Sequence, residues 1–269
     1  MINHSVNHPK TIVEVIKHGF QLWANTFMKA IPFSLLLGII NMGLQFGMKP
    51  YLPHQDGKLS GSTEGMHAVS TVPEMPGYIF LYLIAFMVFS LIIHAGMSYR
   101  INAIVLRTEP TFDKALLVGV RKVFPILGVW ILTSLAMFVG FMALVIPGVV
   151  IGVYFAFSYL LVVITDKGII ESIRESCRLV SGNFWHTLGA LVLIGLTYIV
   201  LAFALAFLLG LLAFVLEPVV KENLYIVMSS VVIVILYPFF TTCLLAVLYD
   251  LQNRKSLDSN QKPTHRIAA

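Results

Sequence analysis

The chain has 269 residues, of which 58% are hydrophobic and only 12% charged, and it carries a formal net charge of +5. Ordinary soluble domains are about 45–50% apolar and roughly 25% charged, so a water-soluble globule of this make-up could not cover its own surface with polar groups. The excess apolar area must face lipid.

In chain order, residues 1–29 form a cytoplasmic amphipathic segment. They hold no continuous apolar stretch ending in a small-residue cleavage site, and the first span is expected to act as an uncleaved signal. Residues 11–27 put Ile12, Val13, Ile16, Phe20, Trp23 and Phe27 on one helical face, opposite Glu14, Lys17, His18 and Gln21, the pattern of a helix lying in the headgroup region. Six runs free of Asp, Glu, Lys and Arg follow, at 30–48, 78–97, 124–146, 149–165, 188–216 and 225–249. A helix needs about 20 residues to cross roughly 30 Å of hydrocarbon. All but 149–165 come close to or exceed that length, and that run needs little more to span.

Between the first two runs, residues 49–77 form an external loop rich in Gly, Pro and Ser. Pro147-Gly148 separates the third and fourth runs and predicts a tight hairpin turn, since proline lacks a helical N–H and glycine permits reversal. Residues 250–269 form a polar cytoplasmic tail. Six spans alternate basic and poor loops: 15 of the 18 Lys and Arg residues fall on the side of both termini. Basic residues near span ends stay in the cytoplasm, which places both termini inside. The basic total is thus explained by insertion, and no nucleic-acid partner is expected.

The amphipathic segment recurs. Displaced by 157 residues, Ile169, Ile170, Ile173, Cys177, Val180 and Phe184 repeat the apolar face, and Glu171 and Arg174 repeat Glu14 and Lys17. A looser copy at 111–123 uses Phe112, Leu116, Val120 and Val123. Each copy precedes two spans. The expected fold is therefore an all-α integral membrane protein over 1–269, with six transmembrane helices in three tandem units of interfacial amphipathic helix plus helical hairpin.

Ile146-Pro147-Gly148, the following apolar span, Glu171-Ser172-Ile173-Arg174-Glu175-Ser176 and Gly182-Asn183-Phe184-Trp185 resemble a bacterial six-helix inner-membrane family. That family includes the YciC-type proteins and the membrane domain attached to some glycerophosphodiester phosphodiesterases. The resemblance is strongest over about residues 110–200. It implies a multi-pass bacterial inner-membrane protein and supplies no catalytic residue to carry over. The soluble phosphodiesterase domain of some relatives has no counterpart here, because the polar stretches are too short.

Chemistry-bearing groups are sparse. Charged residues are absent from the six runs, and such residues at mid-membrane usually mark ion or proton pathways. Asn41 and Gln45 share a face of the first span at i, i+4, and His94 is the one group in a span that titrates near neutrality; these three are the candidate polar lining. Ser229, Ser230, Thr241 and Thr242 flank a kink expected at Pro238. His54, Asp56, Glu64, His67 and Glu74 in the external loop, and His4 and His8, lack metal-site spacing, and no cofactor or metal is expected. Cys177 and Cys243 are expected to remain unpaired. These features predict a non-enzymatic protein that organises lipid or protein partners at the cytoplasmic face. Membrane lipids, a protein partner or a second copy of the chain are the expected partners. A transporter or channel for a small neutral or lipidic molecule is the alternative.

Overall fold

The computed structural model describes residues 10–51, 76–214 and 218–261. These form eight α-helices: α1 Ile12–Met48, α2 Tyr78–Val105, α3 Phe112–Ala143, α4 Val145–Phe155, α5 Ser158–Ile164, α6 Ile169–Val180, α7 Phe184–Phe214 and α8 Pro218–Gln261. Most of the 49–77 loop, including its five acidic and histidine residues, lies outside the described residues, as do His4, His8 and 262–269.

Helix α1 starts where its sequence says it should. Thr11 is extended, its hydroxyl accepts from the Glu14 N–H, and the Glu14 carboxylate accepts from the Thr11 N–H at 2.9 Å, so two otherwise unpaired donors are satisfied. The amphipathic segment does not then end. It runs into the first span as one helix of 37 residues, and α3 likewise joins the second segment to the third span. Only α6 is a separate amphipathic helix, closed off by Gly182 with a φ of +85°. Pro32 and Pro125 sit inside α1 and α3; they bend helices without ending them when neighbours satisfy the freed carbonyls.

Two turns also differ from expectation. The hairpin between the third and fourth spans reverses at Leu144, which is extended, while Pro147 and Gly148 already lie in the first turn of α4. Proline is tolerated there because that N–H has no helical acceptor. Gly148 serves close packing: a Cβ on Gly140 would lie 2.9 Å from the Gly148 Cα. The fourth span is broken at Ala156 and Phe157 between α4 and α5. The tail is helical as well, since α8 continues to Gln261.

Four segments gather at one end of the bundle, here called the basic end. Arg254 donates to the Lys10 carbonyl, Lys255 donates to Ser181 O at 2.6 Å, Lys29 pairs with Glu109, and Lys122 pairs with Asp166 at 3.2 Å. The packed core, including Val15, Phe33, Met97, Phe157, Leu179 and Leu248, lies largely towards this end. Away from it, α7 and the later part of α3 expose long rows of Leu, Phe and Val to the surroundings.

Candidate functional site

The first turns of α1, α3 and α6 pack alike. From Ile12, Phe112 and Ile169, the first eight residues run through the same sequence of half-buried, exposed and buried positions. The fully packed stripe is Val15-Gly19, Ala115-Gly119 and Ser172-Ser176. It lies one position round from the apolar face expected from the sequence. Of that expected face, Val180 is fully buried, Ile12, Ile16, Trp23, Ile169, Ile173 and Cys177 are half-buried, and Phe20 is exposed.

The eighth residue of each segment is small because another chain segment presses on it. A Cβ on Gly19 would meet the Cys243 Cα at 3.0 Å, and one on Gly119 would collide with the Ile92 carbonyl. Ser176, fully buried, stitches the break in the fourth span: its hydroxyl donates to Tyr154 O at 2.7 Å and accepts from the Phe157 N–H at 3.3 Å. Backbone groups freed inside a membrane protein need such partners. Hydropathy gives no signal for these residues, because their role rests on volume and one hydroxyl.

The candidate lining residues do not meet at one site. Gln45 Nε2 donates to Asn41 Oδ1 and, across to α8, to Ser229 Oγ at 2.8 Å. His94 Nδ1 donates to Ser90 O at 2.8 Å, and its ring lies edge-on to Tyr237 with centroids 3.8 Å apart. Ser229 and Tyr237 are eight residues apart on α8, about 12 Å along its axis, so the two groups occupy different levels.

His94 belongs to a stripe that the every-fourth spacing could have disclosed: Ser90, His94, Ser98 and Asn102 on one side of α2. Three of these face tyrosines. Besides His94 and Tyr237, Ser98 Oγ lies 3.4 Å from Tyr159 OH, and Tyr249 OH donates to Asn102 Oδ1 at 2.5 Å. At the basic end, the buried Asp250 carboxylate accepts from Arg254 Nε at 2.7 Å and bonds His186 Nε2 at 3.0 Å. Read from the sequence, Asp250 is merely the first residue of a soluble tail. In the fold it ties α8 to α7 and, through Arg254, to the start of α1.

Charge and grease mix on the rim of this end. Val13, Met28, Phe124, Ile170 and Trp185 are each more than 60% exposed, and Lys17, Arg107, Lys114, Arg121, Arg174 and Arg178 are exposed among them. Apolar side chains beside basic ones suit the headgroup region of an anionic bilayer. Among the described residues no three His, Cys, Asp or Glu side chains converge as metal ligands.

Among the described residues, six helical segments are long and apolar enough to cross a membrane, the fourth being α4 and α5 together, and the class defined by this fold is the multi-pass helical membrane protein. Residues 70–250 match the model of a family described as a domain of unknown function, DUF7847, and the chain belongs to that family. No curated protein matches the sequence, and no solved structure matches it.

Proposed function

We propose that the protein is a non-enzymatic organiser of lipid or protein partners, seated in a bacterial inner membrane with its basic end and both termini in the cytoplasm. The observation that carries this reading is the rim of that end, where exposed apolar residues such as Phe124, Ile170 and Trp185 alternate with exposed Lys and Arg. The polar groups inside the bundle support it, because Asn41, Gln45 and His94 are spent on bonds within and between helices. The fold reads as three tandem units, α1–α2, α3–α5 and α6–α8, on the strength of the shared burial pattern of their first turns. The likeness to the YciC-type family belongs to the same proposal. Mild cross-linking in native membranes, followed by identification of bound proteins and lipids, should recover a defined set; recovery of bulk membrane components alone would reject the organiser.

One observation favours a second reading, a transporter for a small neutral or lipidic molecule. The α2 stripe from Ser90 to Asn102 lays polar groups along one helix. Flux through liposomes containing the protein should then fall on replacing His94 or Asn102 by Leu. No flux above empty liposomes would exclude transport of the solutes offered.

A further inference from the structure

Two cations from different helices converge on one carboxylate at the basic end. Lys29 of α1 donates to Glu109 in the 106–111 turn, and Arg100 of α2 stands close enough for its charge to act on the same carboxyl. The bond from Lys29, the charge of Lys29 and, more weakly, that of Arg100 hold this carboxyl below its ordinary range against slight desolvation.

Glu109 does not complete this arrangement. The Arg100 guanidinium is fixed over the Phe33 ring, 5.9 Å from its centroid, and Phe33 in turn packs on Phe112 with centroids 4.6 Å apart. Arg100 Nη1 has no hydrogen-bond partner among the described residues. The carboxylate thus answers Lys29 with a bond and Arg100 only through space, and one positive charge is left in excess. Exposed ion pairs are weak, and the Lys29 and Glu109 side chains are 42% and 67% exposed, so a better anion displaces Glu109 readily. The backbone beside Glu109 is also held at a cost. Arg107 takes a φ of +61°, in the left-handed region that favours glycine, and the turn is closed by Thr108 N–H to Ala103 O at 2.8 Å. Where glycine would be unstrained, the turn carries a third basic side chain, fully exposed; such outliers gather at functional sites.

Depth and neighbours name the ligand. Lys29 and Arg100 lie just outside the uncharged runs 30–48 and 78–97, at the level of lipid headgroups. Met28 and Leu106 beside them are exposed and offer apolar ground to the chains. A phosphate presents more acceptor oxygens than a carboxylate and takes charge-assisted bonds from several donors at once. We propose that Lys29 and Arg100 form a site for an anionic phosphate group, at this depth that of a phospholipid, and that Glu109 occupies the site until such a group displaces it. This deepens the organiser reading and rests on it, giving the lipid partner a headgroup chemistry and a place.

The test uses the full chain in a neutral detergent, with apparent affinity read from the rise of the thermal midpoint as ligand is added. The ligands are dioctanoyl phosphatidylglycerol, dioctanoyl phosphatidylcholine and inorganic phosphate. Phosphatidylglycerol should raise the midpoint at concentrations where the other two do not. E109Q removes the resident carboxylate and should tighten phosphatidylglycerol by about two- to fivefold, the factor an exposed ion pair is worth. K29Q and R100Q should each weaken it by about fivefold, the factor one basic residue near an anionic surface is worth; should R100Q fail to fold, K29Q carries this arm alone. D113N makes the same change of charge four residues further on and, away from the two cations, should do less than about half as much as E109Q. A midpoint raised as much by phosphatidylcholine, an affinity unchanged in E109Q or K29Q, or a D113N effect equal to that of E109Q would each overturn the site. An equal response to inorganic phosphate would keep the site and assign it to a soluble phosphate in place of a lipid. Loss of the site leaves the organiser reading to its own cross-linking test, which registers protein partners separately.

Discussion

Ser176 carries more structure than its size suggests. It is fully buried, and its single hydroxyl serves both a carbonyl and an N–H where the fourth span breaks. Replacing it by alanine removes one oxygen and leaves two buried backbone groups unpaired, each such loss costing about 1–3 kcal/mol. S176A should therefore lower the thermal midpoint in detergent by several degrees, and a midpoint equal to the wild type would show that the break is satisfied otherwise. Gly119 fails in the opposite sense, by crowding. A methyl there collides with the Ile92 carbonyl, which cannot move aside without moving α2, whereas a methyl on Gly195 in α7 meets nothing within 4 Å. G119A should destabilise by about 1–3 kcal/mol, as overpacking does. G195A should be neutral or stabilising by up to about 1 kcal/mol, because alanine is the better helix former. Equal midpoints for the two variants, measured side by side, would mean that α2 and α3 are not in contact as described.

At the scale of elements, the charged surface of α6 is held by Glu175, which accepts from Arg178 Nε at 3.0 Å and lies 3.4 Å from Lys167 Nζ. The bond from Arg178 keeps the Glu175 carboxyl below its ordinary value, with Lys167 adding to the effect and partial burial opposing it. A depressed carboxylate contributes stability above its unfolded value, about 4.3, and loses it as pH falls through the folded value. The difference in thermal midpoint between wild type and E175Q should shrink as pH is lowered from about 6 to about 3; a constant difference would place the effect of the substitution elsewhere. The spans themselves are legible in the sequence because crossing a bilayer asks only for length and the absence of charge. Helix ends are legible where a cap marks them, as Thr11 and Glu14 do. Continuity is not: nothing local in residues 24–32 says whether the amphipathic segment and the span form one helix, since Pro32 permits either a break or a bend. The docking stripe is hidden for another reason. Gly19, Gly119 and Ser176 have little hydrophobicity to report, so the apolar face at Ile12, Ile16, Phe20 and Trp23 draws attention to the neighbouring stripe. The candidate polar residues are found one by one, but their partners Ser229, Tyr237 and Tyr249 come from distant parts of the chain.

For the whole molecule, the small eighth residues imply an order of packing. Gly119 of α3 presses on α2, Ser176 of α6 on the α4–α5 break, and Gly19 of α1 on α8. Under the three-unit reading each amphipathic segment thus docks on the second span of the unit before it, and the last unit receives the first, closing a ring. A ring has no privileged starting point. The contact of Arg254 with the Lys10 carbonyl also brings the start of α1 beside the last turns of α8 at the basic end, so a linker could join the two. On that reading each unit holds two spans, and a chain opened between α2 and α3 would begin on the same side of the bilayer as the parent, with the same basic loops to hold it there. A circular permutant opened in the 106–111 turn should therefore insert, run as a monodisperse species in detergent and melt within a few degrees of the parent. One opened inside a unit, between α1 and α2, starts on the opposite side and should insert poorly. If both permutants insert and melt alike, the unit boundaries mean nothing to the fold; if the first fails where the second succeeds, the ring is wrong and the likeness of the three first turns reflects local packing alone.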